Sequence, residues 1–151
     1  MPANLRHALA EYTDANLGRT VGRLHLASTV EDAVREADIA VDFVPDELES
    51  KLEIFSMIDR MAPPKTILCT PSHVLSITDL ASCVYRPDRC TAIRGDLTSN
   101  IADIRLLHPA GADRQVLAAV EDFFRALGLS VTTEPDPDAP MLVKNSPISI
   151  P

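Results

Sequence analysis

The chain has 151 residues, 46% hydrophobic and 24% charged, which suits one globular domain, residues 1–151, with a core of its own. A formal charge of −8 with a pI near 4.8 excludes the basic footprint of a nucleic-acid binder. No apolar run approaches the roughly 18 residues a bilayer-crossing helix needs, and Asn4, Arg6 and His7 break the greasy start of a secretory leader, so a cytoplasmic protein without a membrane partner is expected.

From Asn4 to Leu17 the residues Leu5, Leu9 and Tyr12 fall at helical spacing, with Gly18 and Gly22 available to end the helix. Arg23 to Ala27 alternates and reads as a strand. Ser28 or Thr29 then caps a short helix to Ala37, helped by Glu31 and Asp32 at its positive end. Asp38 to Val44 is an apolar run broken only by Asp42, the pattern of a strand covered on both faces. Glu47 to Met61 places Leu48, Leu52, Phe55, Ile58 and Met61 on one stripe, a helix ended by Pro63 and Pro64.

Lys65 to Thr70 and Cys90 to Arg94 read as buried strands, with a short helix from Ile77 to Val84 between them. Ile104 to Leu107 is a further strand. Asp113 to Leu127 is a helix opened by Asp113 and closed by Gly128, and Leu129 to Thr133 a last strand. Five prolines between Glu134 and Pro151 predict an extended tail over 134–151. Strands alternating with helices predict an α/β domain.

Cys69, Cys83 and Cys90 lack C-x-x-C spacing and lie in apolar stretches, as reduced, mostly buried thiols do. The four histidines show no metal-ligand spacing, so no metal is expected.

Ala37 to Phe55 (ADIAVDFVPDELESKLEIF), with Lys51, Glu53 and Phe55 in register, resembles a strand and helix of the nucleotide-binding domain of the 3-hydroxyacyl-CoA dehydrogenases. So do Thr66 to Ala81 (TILCTPSHVLSITDLA), Arg86 to Arg94 (RPDRCTAIR), Arg125 to Gly128 (RALG) and Asp138 to Asn145 (DAPMLVKN), in the family's order across Leu24 to Asn145. The resemblance implies a truncated Rossmann-like fold: a mostly parallel sheet with helices on both faces. It implies NAD as the cofactor, with Val44, Pro45, Lys51, Thr70 and Ser72 on the cofactor side and His73, Arg94 and Asn145 in the substrate cleft.

The departures bear on activity. No G-x-G-x-x-G turn occurs in the 151 residues, and such a turn lets backbone and helix dipole hold the pyrophosphate. The family's catalytic histidine falls on Arg94, which stays protonated and cannot shuttle a proton. Its glutamate partner falls on Arg105 or Leu106, the asparagine of the Ser-Asn-Thr turn on Pro71, and the active-site serine on His73. No catalytic residue is therefore assigned, and NAD is not expected to bind with high affinity.

Local readings stay open at several positions. Ser72 and His73 read as a nucleophile and base or as a helix cap beside a half-exposed ring. Asp42 and Asp46 read as ligand-facing carboxylates at a strand end, or as an ion-paired residue and a helix opener. Lys51 contacts a cofactor or is solvated, and Arg94 holds a small-molecule anion in a forked bond or pairs with Asp96.

The expected function is a dehydrogenase-derived domain without activity of its own, acting as a binding or assembly module. The alternatives are one half of a split NAD-dependent dehydrogenase, or a chain whose true start lies upstream of Met1. Asp38 to Val44 is expected at a bare sheet edge, covered by a second copy in a homodimer, by a complementing chain, by the amino-terminal helix or by Arg23 to Ala27.

Overall fold

The computed structural model describes residues 22–97 and 103–137. The helix expected at Asn4 to Leu17 and the tail beyond residue 137 lie outside them. Helix α1 spans Val30–Val34, with the Thr29 hydroxyl accepting the Asp32 amide at 3.1 Å. Strand β1 (Ile39–Val41) leads into helix α2 (Leu48–Met61), strand β2 (Ile67–Pro71) and helix α3 (Ile77–Ala81). A single 3₁₀ turn, Pro87–Arg89, precedes strand β3 (Cys90–Arg94); strand β4 (Asp103–His108), helix α4 (Arg114–Ala126) and strand β5 (Ser130–Pro135) complete the domain.

The five strands form one sheet in the order β1-β2-β3-β4-β5. Every adjacent pair is parallel except β3 and β4. Side-chain alternation along the strands divides the core into two layers. Leu68, Ala92 and Leu107 face Phe55, Ile58 and Leu80 on the side of α1, α2 and α3; Ile67, Cys69, Ile93, Ile104 and Leu106 face Val116, Val120 and Phe124 of α4. Helices thus cover both faces, as the sequence predicts.

Local chemistry sets the turns. Gly95 leaves β3 with φ +125°, and a Cβ there would stand 2.8 Å from the Asp103 carbonyl oxygen, so only glycine lets β4 return this closely. Gly128, at φ +89°, ends α4 in the left-handed region. At the far end of α2, Arg86 closes the helix terminus: it donates to Asp59 Oδ1 at 2.8 Å and to the carbonyls of Asp59, Ala62, Pro63 and Thr66, while Asp59 Oδ2 accepts the Tyr85 amide.

Two expected elements differ. Arg23 to Ala27 is irregular and exposed rather than a strand, because no neighbouring strand offers it a ladder. The apolar run at Asp38 to Val44 gives a strand of only three residues: Asp42 still donates its amide to Cys69 at 3.2 Å, but Pro45 diverts the chain soon after.

Candidate functional site

Parallel strands deliver their carboxyl ends to one rim of the sheet, and three loops meet there. Asp46, in the loop between β1 and α2, accepts the Ser72 hydroxyl at 2.6 Å on one carboxylate oxygen and the His73 amide at 2.8 Å on the other. The Ser72 hydroxyl oxygen also accepts the amides of Val74 and Leu75, at 3.3 and 3.0 Å. Arg94, at the end of β3, donates to the carbonyls of Ser72 at 3.1 Å and Leu75 at 3.3 Å. One polar string therefore joins the ends of β1, β2 and β3.

Beneath that rim lies a buried ion pair. Lys51 is 1% exposed and places Nζ 2.8 Å from Asp42 Oδ1. Helical geometry puts Lys51 on the buried stripe of α2 with Phe55 and Ile58. Asp42 Oδ2 and the buried Thr70 hydroxyl have no hydrogen-bond partner among the described residues. Continuing the register of β1 and β2 sets Asp42 beside Thr70.

Several local readings change on this geometry. Lys51 is not solvated: its charge is buried against Asp42. Asp46 does not open α2, whose N-cap is Glu47; it ties down the neighbouring loop instead. Ser72 does not cap α3. That role belongs to Ser76, which accepts the Asp79 amide, and Ser-Ile-Thr-Asp carries the spacing of a capping motif that could have shown it. His73 is exposed, and its backbone amide is held by Asp46. Val44 and Pro45 line a shallow concavity of about 260 Å³ with Ser50, Glu53, Ile54 and Met57. Thr70 is enclosed next to that rim, and Asn145 lies outside the described residues.

Asp136 was not anticipated. It accepts the Ser76 hydroxyl at 2.6 Å and the Thr78 amide at 3.0 Å, fastening the segment after β5 to the start of α3. No local pattern in a proline-rich stretch announces a contact across 58 residues.

The cysteines are held as neutral thiols. Burial pushes the Cys69 thiol up from 9.0 to about 12, against a hydrogen bond from Thr91 that lowers it. Burial likewise raises Cys90, and raises half-buried Cys83. These are not nucleophiles.

Arg105, one of the two positions onto which the acidic partner of the family histidine falls, is the register partner of Arg94. Two cations therefore stand on paired strands, and the Arg105 guanidinium turns to Glu134. A G-x-G-x-x-G turn of the kind that cradles a dinucleotide pyrophosphate is not found among the described residues. Of the positive-φ glycines, Gly95 follows Arg94 at the β3–β4 turn, and Gly111 and Gly128 flank α4, while Lys51 Nζ and the Ser72 hydroxyl bond to Asp42 and Asp46.

The sheet order and the polar rim define a Rossmann-type α/β domain. The family model for the 3-hydroxyacyl-CoA dehydrogenase NAD binding domain matches residues 3–94, and the chain belongs to that family. The match begins well ahead of Leu24, where the sequence patterns first suggest it. A probable 3-hydroxybutyryl-CoA dehydrogenase of Bacillus subtilis is 32% identical over 77 residues, covering 51% of this chain and 26% of that protein. An L-carnitine dehydrogenase of Burkholderia mallei is 30% identical over 132 residues, covering 84% of this chain and 40% of that protein. The chain thus spans well under half the length of these relatives.

Among solved structures, an NAD⁺-dependent 5-formyl-3-hydroxy-2-methylpyridine 4-carboxylic acid 5-dehydrogenase superposes with a TM-score of 0.74 at 23% identity, over 96% of this chain and 50% of that one. The (S)-3-hydroxybutyryl-CoA dehydrogenase of Ralstonia eutropha gives 0.73 at 19%, over 89% and 50%. These likenesses establish the shared fold. No helix among the described residues is long and apolar enough to cross a membrane.

Proposed function

We propose that this chain is a dehydrogenase-derived domain that does not carry out hydride transfer by itself and serves as a binding or assembly module. The observation that carries this reading is the pairing of Arg94 with Arg105 across β3 and β4. Hydroxyl oxidation needs a base to take the proton as hydride leaves, and a guanidinium protonated at all ordinary pH values cannot do so. Arg94 keeps a charge suited to a small-molecule anion, a carboxylate or phosphate, at the rim. Three cysteines without a disulfide fit a cytoplasmic setting.

The test is an absorbance assay following oxidation of reduced nicotinamide in the presence of acetoacetyl-CoA, with the purified chain as the only protein. No turnover above the protein-free control is expected; sustained turnover would overturn the reading.

A second reading, one subunit of a split NAD-dependent 3-hydroxyacyl-CoA dehydrogenase, is favoured by one observation: among the described residues β1 ends the sheet, with a strand on one side only. Activity that arises only on mixing with a copurifying chain would select it. The relatives' names span a CoA ester and carnitine, so no single acyl group is assigned.

A further inference from the structure

Among the described residues, strand β1 pairs only with β2. The ladder uses Asp38, whose carbonyl accepts the Ile67 amide at 2.9 Å, and Asp42, whose amide reaches the Cys69 carbonyl. In a parallel ladder alternate residues bond to the same neighbour. Ile39 and Val41 therefore turn their amides and carbonyls to the open side. Arg23 to Ala27 does not take them up, being irregular and exposed.

Alongside this edge runs a concavity of about 360 Å³ between α1, β1 and α2, walled by Val30, Ala33, Val41, Ile54 and Ile58. Asp42 belongs to the same wall, and its buried Oδ2 accepts no hydrogen bond from the described residues. Phe43, 75% exposed, stands at the end of the edge. Backbone groups, an apolar trough and an unsatisfied acceptor thus lie together.

The charge around this trough selects the occupant. Glu31, Asp32, Glu36, Asp38, Glu47 and Glu49 are all exposed; Arg35 pairs with Asp32 and Lys65 with Asp38, which leaves Glu31, Glu36, Glu47 and Glu49 as the net negative charge of this stretch. A second copy would bring an identical acidic rim, and the whole chain carries −8, so like charge opposes self-pairing.

We infer that the open edge of β1 accepts an extended apolar strand with basic flanking residues from a different polypeptide. The strand's main chain pairs with Ile39 and Val41, alternate side chains enter the trough, and a basic side chain reaches Asp42 Oδ2 or the acidic rim. This rests on the assembly reading and names the chemistry of the partner.

The test uses the full 151-residue chain and two synthetic peptides with the same Val-Thr-Val-Ile-Val centre, one flanked by lysines and one by aspartates. Fluorescence anisotropy measures binding, and amide hydrogen exchange by NMR reads Ile39 and Val41. The lysine-flanked peptide is expected to slow exchange at both amides and to bind at least about tenfold more tightly, a gap that narrows as salt rises.

Val41→Pro removes an outward amide that the β2 ladder does not use, and should abolish peptide binding while leaving the fold. Should that variant not fold, the exposed pair Glu36→Lys with Asp38→Lys serves instead and should erase the lysine preference. Equal binding of both peptides, or none, would overturn the inference. So would amides already protected in a monomeric chain, which would mean that the chain covers its own edge, or protection that rises with protein concentration as the mass doubles, which would make a second copy the occupant. Turnover in the absorbance assay would defeat the assembly reading and leave the peptide measurements untouched.

Discussion

Two buried ion pairs sit at opposite ends of helix α2, and they differ in how completely they are finished. At the carboxyl end, Arg86 and Asp59 satisfy each other and four backbone carbonyls, so the pair works as a clasp on a helix terminus. At the amino end, Lys51 and Asp42 make a single 2.8 Å contact, and Asp42 Oδ2 is left without a donor. Burying charge costs several kcal/mol per ion unless hydrogen bonds offset it. The first pair is accounted for by stability, whereas the second lies at the sheet rim where ligands of this fold class collect. Burial of an ion pair therefore does not mark a functional site; incomplete satisfaction beside a concavity is the more informative sign.

The largest expected effect breaks the clasp. Arg86→Ala should cost roughly 3–5 kcal/mol in denaturant unfolding, because it strands the Asp59 carboxylate and several carbonyls. Replacing both partners, Arg86→Met with Asp59→Leu, should remain destabilising, since those carbonyls and the Tyr85 amide still lose their bonds.

The rim pair should respond differently. Lys51→Met alone leaves a buried charge and should also cost about 3–5 kcal/mol, but Lys51→Met with Asp42→Leu should restore stability to within about 1 kcal/mol of the parent or exceed it. A double variant as damaged as the single one would show that the two pairs are equivalent.

The thiols sharpen the comparison from the core side. Cys69 titrates at 9.0 unperturbed and about 12 when folded, so the unfolded chain loses its proton first. The contribution is full below pH 9.0 and is lost as pH rises toward about 12, by up to roughly 1.4 kcal/mol per pH unit for each such thiol. Denaturant midpoints across that range should fall, and Cys69→Ala should flatten the slope. A pH-independent slope would contradict the burial of this thiol.

The smallest effect concerns activity. Arg94→His should yield no turnover of acetoacetyl-CoA in the absorbance assay, because Arg105 supplies no carboxylate to orient the imidazole. Turnover in that single variant would mean that the rim retains a usable proton relay.

Much of the fold is legible in sequence because apolar runs and stripes report burial directly. Cys90 to Arg94 is a strand as read, and Thr29, Asp113 and Gly128 mark the helix ends expected of them. The alternating Arg23 to Ala27 misleads, since period-two patterning indicates a strand only where a partner exists to bond it.

At the site, the solvated reading of Lys51 fails because a charge is normally taken as a solvated face. Its spacing of four and seven residues from Phe55 and Ile58 was the available sign that it points inward. Asp46 and Asp136 were not legible, since each meets a segment 26 to 60 residues away in sequence, and such contacts exist only once the sheet has assembled.

The proposed reading holds that this chain does not grip NAD tightly, and calorimetric titration of NAD into the purified chain tests it most directly. The account predicts heats indistinguishable from dilution, or saturation only far above the micromolar range; a dissociation constant in the low micromolar range would contradict it.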